Sequence, residues 1–455
     1  MKTRLLSLLL LLGTLMASVA CGGDKPDTPD TPEIPAETDL STLPSGNMTV
    51  IYEANPKVFA RQNALKSIES NLDRLTSMKV NVLWLMPVYP VGKDPKAVGS
   101  PYCVKDYKAV NPDFGTLDDL KSLVRSAHAK GMKVILDWVA NHTSWDNAWI
   151  TEHPDWYTKD ANGQIISPAG MGWNDVADLN FNSSGLRGAM KDAMCWWVRE
   201  ADVDGFRCDY TDGVPESFWS EAITALKALK AGILMLGESG DSKYYNCGFN
   251  LLYAWAYAGK VPSVFKGSET VHDLNMLVQS DKDLGGLKEG QNRMRYSINH
   301  DTASENAPAT LYGGADGAMA AFVLSAFLPG VPMIYSSQEI GYGQKLNFFN
   351  YVVMDWNSNA TCSDAYKRIM KAYTDTEKYR GSAPQLIENG KVATVLYKAG
   401  TRRLLVLVNT GSAEATVKVP METVGGNYKD LVSGMALSLP STVTLDGYGY
   451  KIYAK

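Results

Sequence analysis

From residue 49 the chain reads as short apolar runs alternating with segments whose apolar residues recur every three or four positions. The runs cover 49–53, 80–87, 132–138, 203–209, 233–238, 248–252, 295–299 and 331–335. Between them, Leu65, Ile68, Leu72 and Leu75 recur at helical spacing, as do Leu186, Met190, Ala193 and Trp197. Thr116 followed by Asp119 predicts a capped helix with Leu120, Leu123, Val124 and Ala127 on its inner face and Gly131 closing it. Runs that are apolar throughout predict strands buried on both faces, which means a parallel sheet. Eight β/α units predict an α/β fold, a closed TIM (β/α)8 barrel. A doubly wound open sheet would call for an early Gly-rich nucleotide loop, and none is present.

Three parts fall outside this rhythm. Residues 142–180, after the third run, are irregular and rich in Trp, Asn and Gly, which predicts a short inserted domain within a barrel spanning 47–383. Residues 384–455 carry only strand-like runs (392–398, 403–409, 416–419, 438–445 and 448–453), which predict a C-terminal antiparallel β-sandwich. Residues 1–20 combine Lys2 and Arg4 with a leucine run and a small-residue end, the pattern of a secretory signal peptide. Cys21 follows Ala17-Ser18-Val19-Ala20 and resembles the lipidated cysteine of a bacterial lipobox. Residues 21–46, rich in Pro, Thr and Asp, then form a disordered tether. Its acidic start resembles the surface-export signals of lipoproteins in the Bacteroidetes group. These features predict a secreted, membrane-anchored lipoprotein at the outer membrane or cell surface, with a periplasm-facing placement as the alternative.

The net charge of -5 and pI near 5.7 argue against a nucleic-acid binder that works by neutralising phosphates. The 11 Trp and 23 Tyr suit sugar stacking, and suit a large core about as well. Of six cysteines, five remain once Cys21 is set aside, with no CxxC metal spacing, so a disulfide framework is not expected.

In a TIM barrel the working side chains project from the C-terminal strand ends. Four polar clusters interrupt apolar runs there: Asp137 with Asn141-His142, Arg207-Cys208-Asp209, Glu238, and Asn299-His300-Asp301. Arg207 and Asp209 are two apart on a strand and share a face, so the guanidinium can hold the carboxylate ionised. Glu238 belongs to the next run. Neighbouring strands lie about 4.8 Å apart, which suits the ~5–5.5 Å carboxylate spacing of a retaining glycosidase. Asp209 is then the nucleophile and Glu238 the acid/base, its pKa raised by the neighbouring charge. A structural salt bridge is the alternative for any one of these acids. His142 and His300 can donate N–H groups to sugar hydroxyls, or can be buried structural histidines.

These motifs resemble the α-amylase family of glycoside hydrolases, family 13, from about residue 50 to the end. Asp137…Asn141-His142, Gly205-Phe206-Arg207-Cys208-Asp209, Glu238 and Asn299-His300-Asp301 resemble its four catalytic regions. Val176-Ala177-Asp178-Leu179-Asn180 and the segment from Tyr102 to Thr116 resemble two further motifs, and 329–339 its eighth strand. The resemblance implies the catalytic set Asp209, Glu238 and Asp301, the last as transition-state stabiliser. It implies substrate contacts from Tyr102, His142, Arg207, Asn299 and His300. Tyr210, in Tyr210-Thr211-Asp212-Gly213, stands where many members carry Lys-His, so the leaving-group side differs. No cofactor is required; calcium is possible at Asn141 and Asp178, with Asp178 as a domain anchor otherwise. The implied activity is retaining hydrolysis of α-glucosidic bonds in starch, glycogen or maltooligosaccharides. A transglycosylase on the same fold and a non-catalytic surface glycan-binding protein are the alternatives. The implied partners are an α-glucan and, through the lipid anchor, a membrane, with no nucleic acid.

Overall fold

The computed structural model describes residues 48–280, 287–288 and 290–455. The expected signal peptide, Cys21 and the tether lie outside the described residues. Among those described, no helix is long and apolar enough to cross a membrane.

Eight parallel strands close into a barrel. In chain order the first ten strands are β1 (Ile51–Ala54), β2 (Val82–Leu85), β3 (Lys133–Trp138), β4 (His142–Ser144), β5 (Val176–Asp178), β6 (Gly205–Cys208), β7 (Leu234–Gly237), β8 (Leu251–Tyr253), β9 (Asn292–Arg295) and β10 (Val331–Tyr335). The barrel runs β1-β10-β9-β8-β7-β6-β3-β2, while β4 and β5 form an antiparallel pair outside it. That pair begins and ends the excursion from 142 to 180. It places His142 opposite Asp178, so the inserted domain leaves and rejoins the barrel at one point. The predicted capping box is present, with Thr116 Oγ1 accepting from the Asp119 N–H while Asp119 Oδ2 accepts from the Thr116 N–H. The expected helical stretch at 65–75 is two helices, Ala64–Ser70 and Leu72–Ser77, broken at Asn71.

Two barrel runs sit differently from their sequence expectation. The run at 248–252 is a strand only from Leu251, because Gly248 closes a 3-10 turn at φ 106°. The run at 295–299 is displaced to Asn292–Arg295. Its ladder to β10 ends at Arg295 opposite Pro332, a residue with no N–H to continue it. Asn299-His300-Asp301 therefore lie past the strand, at the start of the helix His300–Glu305.

The C-terminal part is antiparallel throughout. Strands β11 (Gln385–Asn389), β12 (Val392–Ala399), β13 (Arg402–Asn409), β15 (Asn427–Asp430), β16 (Ala436–Ser438) and β18 (Tyr450–Ala454) form one sheet, and β14 (Ala415–Lys418) with β17 (Thr442–Leu445) a second. The run expected at 438–445 is divided between β16 and β17, with Pro440 between them. Alternation along β13 explains the packing. Leu405 and Leu407 face the small core against Val417, Val443 and Leu445, while Leu404, Val406 and Val408 belong to the main core of the barrel. Tyr397 Oη donates to the Phe327 carbonyl at 3.0 Å and ties β12 to a barrel helix.

Gly205 opens β6 at φ 152°, and a Cβ there would lie 1.8 Å from the Leu234 carbonyl oxygen. Gly205→Ala is therefore expected to push β6 from β7 and destabilise the fold by about 3 kcal/mol or more. Thermal unfolding monitored by circular dichroism checks this, and an unchanged melting temperature would remove the close-approach argument.

Candidate active site

Main-chain hydrogen bonds carry two acids just beyond their strands. The Asp209 N–H donates to the Trp138 carbonyl at 2.9 Å, and the Glu238 N–H to the Cys208 carbonyl at 3.0 Å. The sheet ladder thus continues one residue past β6 and β7, and sets both side chains at the C-terminal rim.

Beneath them lies Arg207, with no exposed surface. Its Nη1 donates to Asp137 Oδ1 at 2.8 Å and Asp209 Oδ1 at 3.0 Å, and its Nε to Tyr253 Oη at 3.1 Å. Nη2 lies 2.7 Å from Glu238 Oε2, off the direction of a good hydrogen bond, so this contact is mainly charge attraction. Trp84, Tyr102 and Tyr253 place their rings 5.1, 5.8 and 5.7 Å from the guanidinium carbon. One buried cation faces three carboxylates, which is more negative charge than it neutralises.

All three acids are harder to ionise than free carboxyls. Burial raises Glu238 to about 7; Arg207 opposes this, and the charges of Asp209 and Asp301 add to it. Burial likewise raises Asp209 to about 6 against Arg207, with Asp137 reinforcing it. Burial also raises Asp137 to about 6. The neighbouring-charge effect expected for Glu238 is present, but burial is the larger cause. The expectation that Arg207 alone keeps Asp209 ionised is tempered by the same desolvation. Glu238 Oε2 also accepts the Tyr210 N–H at 2.8 Å. With one hydrogen bond and the Arg207 charge on Oε2, a proton is better held on Oε1.

A second charged chain stands opposite. His300 Nδ1 lies 2.5 Å from Glu53 Oε1, and its Nε2 lies 2.8 Å from Tyr102 Oη and 3.3 Å from Asp301 Oδ1. Burial lowers the His300 pKa, but Asp301 and Glu53 outweigh it and bring it to about 9, so the ring is a cation at neutral pH. Burial takes His142 down to about 4, so that ring is neutral.

A cavity of about 680 Å³ opens over these groups, and Tyr102, His142, Asp209, Tyr210, Glu238, His300 and Asp301 all line it. Arg207 and Asn299 do not. Arg207 is sealed below the acids. The Asn299 side chain caps the helix His300–Glu305 by accepting from the Thr302 N–H at 2.9 Å, and its Nδ2 lies 3.2 Å from Asp301 Oδ2. Both expected substrate contacts are thus positioning residues, because their polar atoms are already committed inside the protein. Sequence reasoning passed over Glu53, although it ends an apolar run as Glu238 does. It also passed over Trp173 and Phe348, which line the cavity from loops, and Trp255, which opens the helix Trp255–Lys266 at its rim. Trp173 meets the Tyr210 ring at 5.1 Å and the His142 ring at 5.5 Å, so the inserted domain supplies one wall.

Asn141 and Asp178, the two expected calcium candidates, both make contacts within the protein. The Asn141 amide nitrogen lies 3.3 Å from His142 Nδ1, and the Asp178 carboxylate hydrogen-bonds Thr158. Among the described residues no group of three or more His, Cys, Asp or Glu is arranged to hold a metal ion. Calcium takes about 6–8 oxygens, usually with several carboxylates. Asp178 lies opposite His142 in the strand that returns to the barrel.

The family profile described as alpha amylase, catalytic domain, matches residues 51–165 and 170–385. Alpha-amylase 3 of Dictyoglomus thermophilum is 29% identical over 336 residues, 64% of this chain and 64% of that protein. Alpha-amylase MalA of Haloarcula japonica is 28% identical over 420 residues, 88% of this chain and 61% of that one. The chain thus spans less than two thirds of the length of either relative. The crystal structure of an alpha-amylase from Lactobacillus plantarum superposes with a TM-score of 0.80 at 27% identity, covering 92% of this chain and all of that one.

Infrared difference titration of wild type against Glu238→Gln should show a carboxyl group with its midpoint near 7. Asp209→Asn should lower that midpoint, because it removes a like charge. A midpoint near the ordinary ~4.3 would discard the charge-crowding account.

Proposed function

This chain belongs to the α-amylase catalytic-domain family, and on that premise we propose that it is a retaining glycoside hydrolase of α-glucosidic bonds in starch-type glucans or maltooligosaccharides. The observation that carries the reading is the Asp209–Arg207–Glu238 constellation at adjoining strand ends in the cavity. Asp209, held by Arg207, attacks the anomeric carbon to form a glycosyl ester while Glu238 delivers its proton to the departing oxygen. Glu238, now ionised, takes a proton from water, and that water cleaves the ester and regenerates Asp209. The two acids work as a pair where Asp209 has ionised and Glu238, raised further by the charges of Asp209 and Asp301, has not. Asp301 and the Glu53-charged His300 bind hydroxyls of the distorted sugar, and the carboxylate of Asp301 offsets its developing positive charge. Tyr102 contributes a ring face at the same position.

Product anomers decide the mechanism. Proton NMR of fresh digests should show the α-anomer first, and a β-anomer burst contradicts it. Asp209→Ala should lose activity by at least ~10⁴-fold while melting like wild type; wild-type release of reducing ends by this variant rules out the nucleophile. Activity in the same assay should survive EDTA, and a loss restored by calcium would reinstate a metal.

We propose further that a signal peptide is removed before Cys21 and that lipid on Cys21 anchors the enzyme at the outer surface of a cell. The leucine run, the small residues before Cys21 and the Pro/Thr/Asp tether support this. Metabolic labelling with a palmitate analogue should mark the wild type and not Cys21→Ser, and the variant should appear in the soluble fraction. Equal labelling of both would end the proposal.

A further inference from the structure

The cavity lining separates into two connected groups. Tyr210 joins Glu238 through its N–H at 2.8 Å and Trp173 through its ring at 5.1 Å. On the other side Phe348 meets the Tyr102 ring at 5.7 Å and the His300 ring at 5.2 Å, both edge-on, and Phe349 follows it at 4.8 Å. An acid at Glu238 assigns the leaving group to the first group. The sugar that stays with Asp209, and whatever precedes it, then faces the second.

A buried lysine that the catalytic steps do not use holds that second group. Lys57 lies in the short helix after β1 and is 6% exposed. Its Nζ donates to the Gly99 carbonyl at 3.1 Å and the Phe349 carbonyl at 2.8 Å. It therefore joins the loop after β2 to the loop after β10. The Tyr351 ring lies 5.5 Å from the ammonium, and Tyr351 Oη donates to Asp113 Oδ2 at 3.0 Å. Next to it the Met354 N–H donates to the Val58 carbonyl at 2.9 Å, which pins the far end of the β10 loop to the same helix. Burial lowers Lys57 to about 8, with Asp113 opposing. The fold thus keeps a desolvated ammonium that donates to two loop carbonyls. The tied loop is itself strained. Val98, beside Gly99, sits at φ 42° with 65% of its surface exposed on the cavity rim, a conformation that β-branched residues avoid.

We propose that Lys57 is a positioning residue that holds this wall across the glycone end of the cleft, so that the enzyme accepts a short glycone and releases short products from the non-reducing end of an α-glucan. The inference rests on the assignment of Asp209 and Glu238 above.

The test is the early product distribution from maltoheptaose carrying a chromophore at its reducing end. Wild type should release glucose and maltose first. Lys57→Met should shift release roughly threefold or more toward maltotriose and longer fragments, and should raise KM more than it lowers kcat. Lys57→Arg, which keeps donors for both carbonyls, should restore short products. Phe348→Ala, which opens the wall without touching Lys57, should give the same shift and serves if Lys57→Met does not fold. Wild-type distributions from both opened variants, or internal cuts as the first products of the wild type, overturn the wall. A wild type that cleaves no α-glucan fails the functional reading and takes this inference with it, whereas an active wild type with unchanged variants fails only the inference.

Discussion

Arg207 sits under Asp137, Asp209 and Glu238 with no access to water, and the rest of the site is arranged around that one buried cation. Breaking a buried ion pair from one side strands the other charge, at a cost of about 3–5 kcal/mol. The barrel meets that constraint by bringing three strand ends to a single guanidinium. Its register places Asp137 opposite Arg207 on adjacent strands, and the ladder continues to Asp209 and Glu238. Aromatic rings close the remaining sides, which lowers the local dielectric and strengthens each of these interactions. Burial, reinforced by the charges of Asp209 and Asp301, is what raises the pKa of Glu238.

The second chain, Glu53–His300–Asp301, reverses the polarity. There two carboxylates hold one imidazole charged, whereas His142, without such partners, stays neutral. Two histidines that look alike in sequence, each preceded by Asn, thus carry different charges. The cause is the strand end that faces each one. Tyr102 reaches both systems, with its hydroxyl 3.2 Å from Asp137 Oδ2 and 2.8 Å from His300 Nε2, so the two charge networks are mechanically linked across the cavity.

Much of this was legible along the chain, for identifiable reasons. Residues buried on both faces of a parallel strand leave an unbroken apolar run, so the barrel and the acids that end its strands stand out. Caps are local, so Thr116 and Asp119 announce their helix. The displaced β9 was not legible, because Tyr296 and Ile298 are buried and apolar without being paired. Only the partner residue Pro332 ends the ladder. Glu53 was within reach of the strand-end rule. Trp173 and Phe348 were not, since each stands on a loop whose path is set by contacts far away in sequence, and neither was Trp255, whose helix meets the cavity only once the barrel has closed.

The division between the two levels follows from range. Periodicity, capping and the carboxylates at run ends depend on neighbours a few residues apart, and the sequence by itself determined the barrel, the C-terminal strands and the identity of the candidate acids. Charge state, burial and reach depend on groups brought together by closure of the barrel. Only the tertiary structure decided that Arg207 and Asn299 work from beneath the site and that His300 is a cation. It alone placed Lys57 against carbonyls 42 and 292 residues away. An electrostatic field is summed over space, and the order of residues along a chain does not contain that sum until the chain has folded.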